Sequence, residues 1–213
     1  MALRVSGVLA TLACMVMAAS DLLLLTTLDF RRPYPLWEVL NGISDHQALW
    51  GYYLGVLGVP FYCLGAWHFA LAVRPAGRWA SWLVFLAMVY SACLFAVWHA
   101  SFAFYRSLLR AGANQQAEFA FSHYAQPVLW IGLLVVGTAC VVVMGLILMN
   151  KTLYPRWAVL VSPLVFGVLV WSGAPHALGP FGAVLRAAGW NVAGTLSLAV
   201  STMILWNHAR EAA

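Results

Sequence analysis

"VSGVLATLACMVMAASDLLLL", residues 5–25, is an apolar run with one carboxylate, Asp21, near its end. A helix needs about 20 predominantly apolar residues to cross the hydrocarbon core of a bilayer. The run is therefore read as a membrane span, and a chain that carries an acid into a span must provide for it.

The rest of the chain has the same character. Of its 213 residues 64% are hydrophobic and 8% charged, where a soluble domain has about a quarter charged. Mean hydropathy is +0.87. One small soluble core could not hide so much apolar surface, so the bilayer is the natural solvent. The net charge of +5 comes from Lys and Arg scattered singly or in pairs. With no basic stripe of the kind that tracks phosphates, nucleic acid is excluded as a partner. Cys14, Cys63, Cys93 and Cys140 each sit in an apolar run with no C-x-x-C pair, and read as small buried hydrophobes.

The expected fold class is all-α, a polytopic transmembrane helix bundle forming one domain over 1–213. Its six spans lie near 5–27, 48–73, 79–104, 127–149, 157–173 and 184–206, the fifth being shortest and broken by Pro163. Turn chemistry separates them at "RPAGR" (74–78), "NKTLYPR" (150–156) and "GAPHALGP" (173–180). Two longer connections, 28–47 and 105–126, remain. Arg4 and the small residues of "MAAS" resemble a secretory signal, but the apolar run continues through Leu25. Signal h-regions run about 7–15 residues, so a retained first span is expected. With six spans, Arg4, Arg74, Arg78, Lys151, Arg156 and Arg210 share one side, opposite Arg31, Arg32, Arg106, Arg110 and Arg186. This excess of one places both termini in the cytoplasm.

Asp21 lies in the outer half of span one on that orientation, and a lipid-exposed carboxylate is costly. It is expected to face the bundle interior and find a partner. Ser91, Phe95, His99, Phe102 and Arg106 line one face of span three, with His99 at a depth similar to Asp21. Asn191, Thr195, Leu198 and Thr202 form a largely polar face in span six. His46, His123 and His176 fall at the outer ends of spans, whereas His68 lies in the inner half of span two and His208 in the tail. Three helices thus deliver Asp21, His99 and Asn191 to one polar cluster.

Histidine and carboxylate suit zinc, yet no H-E-x-x-H or related pair occurs. No G-x-S-x-G, Walker loop or dinucleotide fingerprint is present, and the adjacent Ser44, Asp45 and His46 do not make a triad. Trp37, Trp50, Trp79, Trp157 and Trp206 fall at span ends, as interfacial rings do. Phe61, Tyr62, Trp67, Tyr90, Phe95 and Trp98 lie deeper, suited to helix packing or an apolar pocket. Gly51, Gly55, Gly58 and Gly65 form one stripe for close helix approach, and Pro60 is expected to kink that helix.

Two segments, "LYPRWAVLVSPL" (153–164) and "AAGWNVAGTLSLAV" (187–200), complete a pattern. The chain resembles a family of bacterial membrane proteins classed only as a domain of unknown function. Its members share an acid late in the first span, a glycine-rich second span, histidines ending later spans, and Tyr-Pro-Arg-Trp and Gly-Trp-Asn segments. The resemblance maps these onto Asp21, Gly51 with Gly55, His99 and His123, Tyr154 to Trp157, and Gly189 to Asn191. It implies a six-helix protein of the bacterial inner membrane and no established activity.

The function expected is acid–base chemistry on, or binding of, an apolar lipid- or isoprenoid-like molecule. Asp21 and His99 would be the catalytic pair, and Tyr105, Asn191, Trp98 and His123 would bind ligand. Membrane lipids are the expected partners, with no cofactor. A metal-dependent hydrolase is the alternative, with zinc on His46, His99, His123 and Asp21. A small transporter and a membrane assembly partner without chemistry are the further readings.

Overall fold

The computed structural model of the chain describes residues 2–26, 36–173, 182, 185 and 187–207, and among them it is all-helical, without strands. The 173–180 turn beyond Gly173, and Asp29, Arg31, Arg32, His176, Arg186, His208, Arg210 and Glu211, lie outside the described residues, as do the side chains of Trp37 and Glu38.

Helix α1 spans Ala2–Leu25, α2 Leu36–Gly42, α3 Asp45–Val73, α4 Arg78–Arg110, α5 Asn114–Ala120, α6 Gln126–Leu148, α7 Pro163–Val168 and α8 Gly189–Leu205. Four helical stretches are long and apolar enough to cross a membrane: Ala2–Leu25, Asp45–Ala76, Arg78–Arg110 and Asn114–Leu148. The apolar stretches Arg156–Ser172 and Gly189–Leu205 are shorter. The outside of the bundle is apolar, with Leu57, Leu83, Leu134, Leu160 and Met203 all exposed. Such a surface is a wetting liability in water and the expected one in lipid.

Several boundaries differ from the sequence expectation. Helix α4 continues through 105–110, and α5 joins α6 through a wide turn at 121–125, so the expected 105–126 connection is mostly helix. The sequence there has only Gly112 as a strong breaker, and its φ of 74° ends α4 with a left-handed residue. The fifth apolar segment is interrupted at Pro163 as expected: Ser162 before it is extended, with φ −66° and ψ 153°, between two helical pieces. Pro163 opens α7 at the first helical position, and Ser162 caps it by accepting from the Val165 N–H at 3.3 Å. Residues 156–161 before it form a tight 3₁₀ turn. Helix α3 runs unbroken through Pro60, capped at its start by Ser44 and Gln47 in a reciprocal capping box.

The glycine stripe explains how α1 and α3 meet. Gly51 faces Leu24, Gly55 faces Ser20 and His99, Gly58 faces Met17, and Gly65 faces Ala10 and Leu198. The register descends along α1 as it ascends α3, so the two are antiparallel. A methyl group on Gly58 would stand 2.6 Å from the Met17 sulfur and would push that side chain aside. Helix α8 packs on the same seam with Gly194 against Cys14 and Tyr62. Lipid tails are as apolar as leucine, so nothing but packing and polar links drives such helices together. The seam of α1, α3 and α8 supplies both.

Candidate functional site

The seam places Asp21, 6% exposed, and His99, 2% exposed, face to face in the interior. Asp21 Oδ1 stands 3.4 Å from His99 Nε2. The other carboxyl oxygen, Oδ2, accepts from Asn191 Nδ2 at 2.6 Å. Asn191 Oδ1 in turn accepts from the Tyr62 hydroxyl at 2.9 Å, and that hydroxyl also meets the Cys14 thiol. The donor direction along Tyr62, Asn191 and Asp21 is therefore fixed. Oδ2 is committed as an acceptor, so any proton that Asp21 carries sits on Oδ1, facing the imidazole.

His99 has its own constraint. The Ser20 hydroxyl donates to the Gly51 carbonyl at 2.6 Å, which uses its only proton. The oxygen it turns toward His99 Nδ1, at 3.5 Å, can therefore only accept. A hydrogen bond at that contact requires the hydrogen on Nδ1, the tautomer that leaves Nε2 to share one proton with Asp21. Gly55 makes room for the ring, because a Cβ there would lie 2.5 Å from Nδ1. On the other side Trp98 stands edge-on to His99 with ring centroids 5.1 Å apart. The Trp98 indole N–H is buried and has no acceptor among the described residues.

Asp21, His99, Asn191 and Trp98 are thus brought together. Tyr105, His123 and His46 are not. The Tyr105 hydroxyl donates to the Ala120 carbonyl at 3.3 Å, tying α4 to α5. His123 is exposed, stacks on Phe119 at 4.0 Å and bonds the Phe119 carbonyl. His46 is exposed in the first turn of α3. Among the described residues no three His, Cys, Asp or Glu side chains gather so as to hold a metal ion. The zinc set of His46, His99, His123 and Asp21 is not assembled, because loop-end histidines are carried by α3 and the 121–125 turn away from the seam.

Sequence reasoning missed Ser20 as the group that orients His99, and it missed a second polar chain nearer the start of α1. There His68 Nδ1 donates to the Leu3 carbonyl at 3.0 Å and Nε2 meets Ser201 Oγ at 2.7 Å. The Tyr154 hydroxyl joins Ser201 at 2.6 Å, and Ser6 reaches His68 at 3.4 Å. Beside Tyr154 and Ser201 is a cavity of about 20 Å³, room for one water. Ser6 and Ser201 were legible only as small residues in apolar runs, a signal too common to single them out. Tyr154 belongs to the Tyr-Pro-Arg-Trp segment and ties it to α8 through Ser201, while the preceding Leu153 N–H ties the turn to α3 by donating to the Ala72 carbonyl at 2.9 Å.

At the far end Arg106 is 8% exposed. It donates to the carbonyls of Leu40 and Ile43 and, at 2.7 Å, to Asp45 Oδ1, so it fastens the α2–α3 turn to α4. The Arg106 position predicted on the His99 face is therefore a structural clamp, two turns from the Asp21 pair.

No curated protein and no solved structure matches the chain. A family of unknown function, DUF6796, matches residues 2–209, nearly the whole length; the chain belongs to that family.

Proposed function

We propose that this is a six-span protein of the bacterial inner membrane with both termini in the cytoplasm, Arg156–Ser172 and Gly189–Leu205 being its fifth and sixth spans. Its Asp21–His99 pair passes one proton in the bundle interior and serves acid–base chemistry on an apolar, lipid- or isoprenoid-like molecule. The observation that carries this reading is the proton accounting at the pair: Oδ2 and Nδ1 are committed elsewhere, and one mobile proton remains between Oδ1 and Nε2. Asp21 would protonate an alkene carbon, His99 would take the neighbouring proton, and the imidazolium would return it to the carboxylate. The double bond moves, no atom is gained or lost, and the pair is reset. Asn191 positions Asp21, and the unaccepted Trp98 N–H is a donor ready for a ligand.

A second reading has its own support. The interior around Asp21 is closed and its carboxyl oxygens both have partners, which suits a polar clasp between α1, α3, α4 and α8 without chemistry. One experiment separates the two. The untagged protein, purified without added metal, is extracted with organic solvent and the released molecules are identified by mass spectrometry, with elemental analysis of the same sample. The acid–base reading expects one apolar molecule near one equivalent, and an isomer of it in Asp21→Asn. No retained molecule in either protein overturns it in favour of the clasp, and stoichiometric zinc overturns it in favour of the hydrolase.

A further inference from the structure

The turn between α3 and α4 opens a groove of about 520 Å³ lined by Trp67, Ala70, Arg74, Arg78, Ser81, Trp82 and Phe85. Three of these rings form a cluster. Trp67 and Phe85 stand 5.7 Å apart edge to face, Trp82 and Phe85 5.6 Å, and Trp67 and Trp82 6.4 Å. They continue from the turn into the apolar length of both helices. Arg74 and Arg78 flank the mouth, both exposed, and neither side chain has a hydrogen-bond or ion-pair partner among the described residues.

The surroundings sharpen the charge. Arg4, Arg74, Arg78, Lys151 and Arg156 all lie at the end of the bundle where α1 begins, and the described acids Asp21, Asp45 and Glu118 all lie toward the other end. Among the described residues no carboxylate competes with an anion for the two groove arginines. Guanidinium binds phosphate through paired N–H donors, and aromatic rings settle at headgroup depth beside acyl chains.

We infer that this groove is a binding site for one anionic phospholipid, its phosphodiester held between Arg74 and Arg78 and one acyl chain lying along Trp67, Trp82 and Phe85. A free phosphate would satisfy the arginines but leave the ring cluster unused, whereas a zwitterionic lipid would place its own cation beside them. The site stands apart from the Asp21 pair, and its existence does not depend on what that pair does.

The test is native mass spectrometry of the full chain in detergent with phosphatidylglycerol or phosphatidylcholine. Wild type retains one phosphatidylglycerol, preferred about tenfold over phosphatidylcholine, the order expected from two interfacial arginines. Arg74→Gln/Arg78→Gln abolishes the preference, and Arg78→Gln alone weakens it. Lys151→Gln/Arg156→Gln, which removes two cations from the same end but outside the groove, leaves it intact. Equal retention of both lipids overturns the inference. So does an equal loss in the two double variants, which would mean diffuse charge alone, and so does displacement of the lipid by millimolar inorganic phosphate. Arg74 and Arg78 are exposed and without a side-chain partner among the described residues, Arg156 gives up one exposed bond to Asn150, and the thermal midpoint of each variant checks that the fold is kept.

Discussion

Asp21 can be tested as a hydrogen-bonding group and as a proton carrier separately, because asparagine keeps the first role and removes the second. In Asp21→Asn the new carbonyl accepts from Asn191 and the new amide donates to His99 Nε2. Its thermal stability in detergent should fall within about 1 kcal/mol of wild type, while Asp21→Ala, which strands Asn191 and His99, should lose about 1–3 kcal/mol. Equal losses in the two would show that charge, rather than bonding, holds the seam. Gly55→Ala tests the ring's seat. A methyl 2.5 Å from His99 Nδ1 forces the ring away, and overpacking of this kind costs about 1–3 kcal/mol. A Gly55→Ala protein as stable as wild type, with an unchanged His99 environment, would contradict the packing described. The sequence put Asp21 and His99 at a similar depth and added Asn191 to their cluster, since each falls in an apolar run at a countable distance from its end. It did not show Tyr62 and Ser20 as their partners, because which faces of α1 and α3 meet is set by the glycine stripe in three dimensions.

At the scale of elements, Arg106 holds the α2–α3 turn by bonds to two carbonyls and to Asp45. Lysine keeps the charge but has a single ammonium in place of the planar fork. Arg106→Lys should therefore free residues 36–44, read as amide hydrogen exchange at least several-fold faster there and unchanged in α1. Uniform exchange across the two regions would show that the clamp is not local. Helix identity was legible wherever an apolar run exceeded the bilayer's needs, as in α1, α3 and α4. The ends were not: α4 runs past Phe104 to Arg110 because nothing before Gly112 stops it, and Pro163, legible as the break in the fifth segment, also starts a helix there, since Ser162 supplies the cap.

For the whole molecule, the even number of spans is the claim with most consequences. Cysteines introduced at Lys151 and Gly112 of a protein otherwise free of cysteine should label from opposite sides of the membrane, with Lys151 on the side of the N-terminus. Labelling of both from one side would remove the six-span topology. The charge pattern already divides the ends of the bundle more sharply than the count of Lys and Arg suggested. Arg106 and Arg110 share the single carboxylate of Asp45 at 2.7 and 2.6 Å, whereas Arg74, Arg78 and Lys151 at the opposite end have no carboxylate partner among the described residues. That difference lies in pairing, which a count along the chain does not contain.

The central claim is that Asp21 and His99 share a mobile proton, and this requires a hydrogen on His99 Nδ1. Without it, moving the Nε2 proton to Asp21 would leave an imidazolate. The direct measurement is nitrogen-15 NMR of ring-labelled histidine in the lipid-reconstituted protein, with His99 assigned by its loss in His99→Gln. The account predicts a protonated Nδ1 in both wild type and Asp21→Asn, with the Nε2 signal shifting between them. A bare Nδ1 with a proton fixed on Nε2 would contradict it and leave the pair a structural clasp.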